Sequence, residues 1–413
     1  MILTYRYRRL PLKSQHRALE RLCASQRELY NAALEERIDC YRKTGKTRTY
    51  MDQCKALTEC RHELPDMGEL PANLQRWTLK RMDDAFQGFF RRLKARNGKA
   101  GFPRFRGKGR WQAFGFAEFR GIRFDGKRLR FSGMPGGLKV HVHRELPEGA
   151  DIRSCVFRQD ASEWFVCLHI AVPTPQKRTI ETVIGVDLGL SVFAYCSDDV
   201  EIPNPRIARR AEKELRRRQR VLSRCQRGSH RRHKVRAQVA RVHRKITNTR
   251  NSWLHKESAG LIKRADLIVV EDLKVANMIR HPTLARSIAD ASWSRFVSML
   301  DYKAEKAGRH LIRVNPRNTS QECSRCHELV PKSLAARIHK CPFCGLTIHR
   351  DYNGSLNIRR AGIGAGALNV IGCDVRAPGN ICWLPRGSHV YKSHFSTDRH
   401  ALCTQSDRRP APR

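Results

Sequence analysis

The chain reads as a multidomain protein of mixed α+β and α/β class. It opens with a small N-terminal β-barrel that carries a helical insertion. A C-terminal α/β sheet domain with a small cysteine-rich insert follows. Three observations predict this. Apolar and polar residues alternate over 1–10, give way to helical spacing until about residue 95, and then return to short strands. Between residues 183 and 314 strand-like apolar runs alternate with helical patterns, as in a sheet covered by helices. Two Cys-x-x-Cys pairs, Cys323/Cys326 and Cys341/Cys344, stand 14 residues apart. Thiolates at that spacing close a tetrahedral zinc site, so residues 321–349 read as a zinc ribbon holding one structural Zn²⁺.

The bulk numbers bound the partners. The 413 residues hold 81 Lys and Arg against 39 Asp and Glu, a net charge of +42. Such a field attracts polyanions, of which nucleic acid fits best. There is no 18-residue apolar run, and Met1-Ile-Leu-Thr-Tyr5 reads as a strand rather than a signal peptide, so no membrane partner is expected and the location reads as cytoplasmic. The 15 cysteines are mostly scattered, which suits a reducing compartment with four reserved for metal.

Residues 1–10 and 97–172 are assigned to the barrel and 11–96 to the helical insertion. Helical spacing runs from Lys13 to Thr44 and stops at Gly45. A shorter helix covers 50–60. A third follows Pro71 and ends at Asn97-Gly98, with Leu74, Trp77, Met82, Phe86 and Leu93 on its apolar side. Its polar side carries Gln75, Arg76, Lys80 and Arg81, which have the chemistry to read a major groove; a solvated basic face has the same composition. The segment Gly101–Phe116 is a loop dense in Arg, Gly and aromatics. Arg104 and Arg106 there suit stacking on unpaired bases, and a solvent loop anchored by its rings is the alternative. Strands are expected at Ile122–Phe124, Arg128–Phe131, Leu138–His143, Ile152–Arg158 and Trp164–Val172, the last apolar on both faces.

Residues 173–178 are a linker. Val183 to Val186 then delivers Asp187, and a second apolar run, Ser191 to Cys196, follows Gly189. Residues 206–250 hold 18 Lys and Arg and two acids. Leu215 and Leu222 mark one seam, and Val235, Val239, Val242 and Ile246 a second. This predicts a helical hairpin with a cationic outer surface, where Arg216, Arg217 and Arg218 are candidates for tracking phosphates. Ala265 to Val270 is a strand ending on Glu271. A helix covers Ser292 to Lys306, a strand Leu311 to Val314, and a short helix opens near Asp351. Asp187, Glu271 and Asp351 each close or open an element. Gathered at one sheet edge they would repel one another unless divalent cations neutralise them. Beyond about Gly362 periodicity is lost, and 363–413 reads as a mobile, disordered tail.

Gly-Val-Asp187-Leu-Gly, Val-Val-Glu271-Asp-Leu, the paired Cys-x-x-Cys motifs and Arg-Asp351-x-Asn-x-x-x-Asn-Ile, in that order, resemble the TnpB family of transposon-encoded nucleases, over about residues 1–360. The resemblance implies an RNase H-like, RuvC-like nuclease domain over 179–320 and 350–362. It also implies a guide RNA, double-stranded target DNA cut beside a short motif, and two catalytic Mg²⁺ held by Asp187, Glu271 and Asp351. In such relatives the helical insert and flanking barrel contact that motif. Two departures are visible: His349 stands where the family often has Asp, and Gly354-Ser355 where it has small alanines. A non-cleaving nucleic-acid-binding protein and a strand-joining transposase are the competing functions.

Overall fold

The computed structural model describes residues 1–370 apart from 10, 96–99, 161–162 and 334–335. Strand β1 (Ile2–Arg9) leads into α1 (Lys13–Thr44), α2 (Tyr50–Glu63), α3 (Pro65–Gly68) and α4 (Ala72–Lys94). Helix α1 stops where expected: Gly45 takes φ +67°, and its N–H returns to the Tyr41 carbonyl at 2.9 Å. Helix α2 starts on a capping box, with Thr49 Oγ1 accepting from the Asp52 N–H and Asp52 Oδ2 accepting from the Thr49 N–H. The apolar sides of α1 and α4 bury Leu19, Leu22, Tyr30, Leu34, Leu74, Leu79, Met82 and Phe86 in one core with the strands. Each fully buried side chain of this kind contributes about 1.5–3 kcal/mol. Arg37 ties the three long helices together, donating to Gln53 on α2 at 2.8 Å and Asp83 on α4 at 3.0 Å. The Asn97-Gly98 stop predicted for α4 lies outside the described residues.

Six strands follow: β2 (Ala113–Phe116), β3 (Ile122–Phe124), β4 (Arg128–Phe131), β5 (Leu138–His141), β6 (Asp151–Asp160) and β7 (Glu163–Ala171). With β1 they form an antiparallel sheet in the order β2-β6-β7-β1-β5-β4-β3. The edge strands β2 and β3 do not pair, so the expected barrel is a half-barrel. It is strongly curled, because the rings of Phe116 on β2 and Phe131 on β4 meet with centroids 5.2 Å apart. Two expectations need correction. The last four residues of the expected 101–116 loop are strand β2, whose Gly115 admits the Trp77 ring; a Cβ there would lie 2.7 Å from it. Strand β7 is central but not apolar-buried on both faces. Trp164, Val166, Leu168 and Ile170 are buried, while the alternating residues are half-exposed and Arg6 lies 3.9 Å over Phe165.

The second half contains β8 (Val183–Leu188), β9 (Val192–Cys196), β10 (Glu201–Pro203), α5 (Ile207–Arg210), α6 (Glu212–Arg224), α7 (His230–Arg264), β11 (Leu267–Glu271), α8 (Val275–Met278), α9 (Ala285–Ala291), α10 (Trp293–Ala307), β12 (His310–Val314), β13 (Ile338–Lys340), β14 (Thr347–His349) and α11 (Arg350–Val370). A five-stranded sheet runs β10-β9-β8-β11-β12, with β8, β11 and β12 parallel and β9 and β10 antiparallel to their neighbours. Strand β11 is buried along its whole length, as a strand covered on both faces must be. Helix α10 covers one face through Trp293, Phe296 and Leu300. Helix α11 covers the other, placing Ile358 against Leu267, Val269 and Val314. It lies close because two residues lack side chains: a Cβ at Gly185 would collide with the Ser355 carbonyl, and one at Gly362 with Val269. The tail predicted from 363 therefore begins as helix, and 371–413 lie outside the described residues. The hairpin α6–α7 reaches back to the half-barrel through Arg244, which pairs with Glu163 at 2.9 Å.

Candidate active site and metal centre

Val186 on β8 pairs with Val270 on the parallel strand β11. Asp187 and Glu271 are therefore the next residues on adjacent strands, on one face of the sheet. Asp351 sits in the first turn of α11, which starts directly after β14. Gly354, one turn on, faces Asp187; a Cβ there would lie 2.6 Å from Asp187 Oδ2. The Asp187 carboxylate thus rests against a helix N-terminus, where negative charge is favoured.

Glu271 is only 8% exposed, and Asp187 and Asp351 are half-buried. Burial, then the charges of Glu271 and Asp351, push Asp187 well above the usual carboxylate range, with Arg350 opposing. Burial also raises Glu271, while the Thr319 hydroxyl, donating to Oε1 at 2.6 Å, pulls it down. Oxygen-only donors that repel one another until a cation arrives fit a hard divalent ion. The linkage has a definite sign. A carboxyl whose folded pKa is raised binds more protons in the folded state, so stability falls as pH climbs from the ordinary carboxylate pKa through the raised value. Asp187→Asn should therefore melt higher than wild type at pH 8 without added Mg²⁺ and with zinc retained. The gap should narrow toward pH 4 or on adding Mg²⁺; a lower-melting variant at pH 8 would contradict the electrostatic account.

The motif around Asp351 has a structural logic that spacing alone did not show. Asn353 is fully buried; its Oδ1 accepts from the Ser324 N–H at 2.9 Å and its Nδ2 donates to the Glu322 carbonyl at 2.7 Å. Asn357 Nδ2 donates to the same carbonyl at 2.7 Å and to Thr319 at 2.9 Å. Arg350 Nη1 donates to the Ser333 carbonyl at 3.0 Å. The helix bearing Asp351 is thus clamped to the first cysteine knuckle, and Thr319 links that clamp to Glu271. Thr319, Asn353 and Asn357 were not singled out as site residues. The regular Asn-x-x-x-Asn spacing, which puts both amides on one helix face, was the available signal.

Cys323, Cys326, Cys341 and Cys344 come together as expected. Their four sulfurs lie within 4.8 Å of one another, with Cys323–Cys344 at 3.6 Å and Cys326–Cys341 at 3.4 Å. Tetrahedral Zn–S bonds set sulfurs ~3.8 Å apart, so the cluster could hold a zinc ion. At Cys341 burial would raise the thiol, but the N–H groups of Cys344 and Phe343 and the neighbouring thiols outweigh it and hold it at about 7. Its partner Cys326 is shifted the other way: the Glu328 N–H pulls it down, but burial and the bonded thiols push it up to about 12, so the pair holds one proton that a metal would displace.

The expected nucleic-acid contacts fare unevenly. Gln75 is 1% exposed and its amide is spent on Arg61 and on the Met67 carbonyl at 3.0 Å, so it does not face a groove. Arg76 and Lys80 are exposed, but Lys80 pairs along its own helix with Asp84 at 2.9 Å and Asp83 at 3.4 Å. Arg104 is exposed; Arg106 lies over the Tyr30 ring at 5.5 Å, and its backbone is gripped by Asn31. On α6, Arg216 pairs with Glu212 at 2.8 Å, Arg218 bonds Gln238 of α7 at 2.7 Å, and Arg217 is exposed with no carboxylate partner among the described residues. Arg218 thus also ties α6 to α7. A cleft of about 980 Å³ between α1 and the half-barrel, lined by Arg17, Arg21, Arg27, Lys108, Trp111 and Trp164, was missed because its residues are far apart in sequence. Among the described residues no helix is long and apolar enough to cross a membrane.

Residues 165–281 match the OrfB_IS605 family, described as a probable transposase; residues 293–358 match the Cas12f1-like TNB domain, and 1–46 the helix-turn-helix domain of OrfB_IS605. In this chain residues 1–46 hold strand β1 and the single long helix α1. A Streptomyces pristinaespiralis protein named "Putative RNA-guided DNA endonuclease" is 32% identical over 88% of this chain and 90% of its own length. InsQ of Escherichia coli K12, which bears the same designation, is 27% identical over 87% and 92%. A cryo-EM structure of a Cas12f1–sgRNA–target DNA complex shares the fold, with a TM-score of 0.55 at 15% identity, over 84% of this chain and 82% of that one. Identity at this level across nearly the whole length, with the half-barrel, the mixed sheet and the cysteine cluster in place, makes the chain a member of the TnpB (OrfB/IS605) family that carries a Cas12f-like TNB domain.

Proposed function

We propose that the protein is an RNA-guided, Mg²⁺-dependent DNA endonuclease of a transposable element, cutting double-stranded target DNA beside a short motif. What supports this reading is that Asp187 and Glu271 follow paired residues on the parallel strands β8 and β11, while Asp351, in the first turn of α11, is near enough to act on Asp187 by its charge. Three antiparallel strands continued by two parallel ones, with α11 laid across, support an RNase H-like, RuvC-like domain. Asp187, Glu271 and Asp351 would hold two Mg²⁺ ions, whose chemistry is to activate water and to neutralise the charge on the leaving 3′ oxygen. The remaining work belongs to the chain. Thr319 fixes one Glu271 oxygen, Asn353 and Asn357 hold the first turn of α11, and no side chain need act as nucleophile. Cys323, Cys326, Cys341 and Cys344 would hold one structural Zn²⁺.

The +42 charge, the α1 cleft and the α6–α7 arm support binding of guide RNA and target. Helix α6 buries no residue, and its Arg217 and Arg220 are exposed with no carboxylate partner among the described residues. Reversing Arg217, Arg220 and Arg231 to Glu should weaken binding on every sequence and lower the log–log salt slope by about 2–3. An unchanged slope would leave that face merely solvated.

Guidance is tested by sequencing RNA that co-purifies with the protein and programming cleavage with its variable end. A discrete species with a constant scaffold, and cutting that follows the changed guide, is the expected result. Cutting indifferent to RNA would overturn guidance, and joined rather than cleaved ends would favour the strand-joining transposase.

A further inference from the structure

Strand β9 runs antiparallel to β8 with Tyr195 opposite Asp187, so the phenol ring stands on the face that carries the carboxylates. Its hydroxyl donates to Asp199 Oδ1 at 2.9 Å, which fixes the ring from its far end. The imidazole of His349 stacks on it, with centroids 5.4 Å apart and planes at 19°. Tyr352, next to Asp351, meets Tyr195 at 5.6 Å and 46°. His349 is held as well: its Nδ1 accepts the Asp351 N–H at 3.3 Å. The three rings come from β9, β14 and α11, and each is half-exposed. None belongs to the cores on either side of the sheet. Apolar packing therefore does not explain why they gather at the edge where the acids converge.

Resting on the nuclease reading, we propose that Tyr195, His349 and Tyr352 form a stacking platform for an unpaired nucleobase of the DNA strand being cut, beside the scissile phosphate. Three features select that occupant. Half-exposed rings accept a flat π-face, and every base has one, so the platform tolerates sequence as a programmable nuclease requires. Inside a duplex both faces of a base are covered by its neighbours, so a base that stacks on these rings has left the duplex stack. The strand in question is the one whose phosphodiester reaches Asp187, because Tyr195 is the residue paired with Asp187 across the sheet. The rings are fixed beforehand by Asp199 and the Asp351 N–H, so little ordering is needed on binding.

The test scans 2-aminopurine along a single-stranded target paired in part to the guide, using the RNA-loaded protein. Quenching is expected at one position flanking the cut. It should be lost in Tyr195→Ala and Tyr352→Ala and kept in Tyr195→Phe, which preserves the ring. Stacking of this kind is worth roughly 5- to 150-fold in affinity, so KM should rise by that factor in the alanine variants while kcat holds. An abasic site at the quenched position should reproduce the loss in wild type and add nothing in Tyr195→Ala. His349→Asn keeps an acceptor for the Asp351 N–H and should share only the KM defect. No quenched position, or abasic sites tolerated throughout, would overturn the platform without depending on any variant folding. Equal losses on intact and abasic strands would assign the rings to packing and overturn it too. Fluorescence needs no cleavage. Quenching without cutting by wild type would keep the platform and sink the nuclease reading.

Discussion

Asp187→Ala is expected to abolish cleavage, by at least ~10³-fold or about 4 kcal/mol of barrier, while the RNA-loaded protein still binds its target. Glu271 and Asp351 both raise the affinity of Asp187 for a proton, and on the proposed reading the three would share the cations. On that reading removing Asp187 takes away a metal ligand, which the neighbouring Arg350 has the wrong sign to replace. It also takes away negative charge facing a polyanion, so binding should hold or tighten. Glu271→Ala and Asp351→Ala should behave alike. Ca²⁺ should support binding and support cutting poorly, because its looser coordination misplaces the reacting oxygens. The measurement is a paired gel-shift and nicking assay on the three variants. Full cutting by any of them would remove that acid from the site. Loss of binding and cutting together would assign the acids to the fold and favour the non-cleaving binder.

What sequence could show depended on how local each cause was. Asp187 and Glu271 were legible because each ends an apolar run that only a buried strand explains. The cysteines were legible because knuckle spacing is a local constraint. The end of α1 was legible because Gly45 takes a left-handed conformation that other residues resist. The misses have non-local causes. Strand β2 lies in a stretch whose glycines and arginines suggest a loop, and Gly115 is there to admit Trp77 from another element. Gly362 and the glycines after it lowered the helical signal, yet Gly362 is small because Val269 lies against it. Gln75 looked like a groove reader from its neighbours; only the folded chain shows Arg61 and the Met67 carbonyl consuming it. The open edge between β2 and β3 follows from curl and strand length, which short alternating runs do not encode.

Cys341→Ser is expected to cost the protein its zinc and, through the fold, its cutting. Among the described residues the ribbon has little other core: Val330 is buried beside the cysteines, with Leu346 against them. Apparent binding energies of structural zinc are about 10–16 kcal/mol, far more than so small a cluster supplies by burial. Without the ion, the Cys323–Cys326 knuckle should open, and with it the Ser324 N–H and Glu322 carbonyl that hold Asn353 and Asn357. The pairing of Ile338 with His349, directly ahead of α11, would go too. Asp351 then sits on a frayed first turn, and Thr319 no longer aims at Glu271. Misplacement of about 1 Å at reacting groups can cost ~10²-fold, so cutting should fall at least that far although all three acids remain. Elemental analysis should find one zinc per wild-type chain and less in the variant. Hydrogen exchange should rise first in residues 320–349 and at the start of α11, while β8 and β11 stay protected. Asn353→Ala separates the two effects: it should keep the zinc and still lose cutting, because it breaks the clamp and leaves the thiolates alone. A zinc-free Cys341→Ser protein that folds and cuts like wild type would uncouple the ribbon from the site.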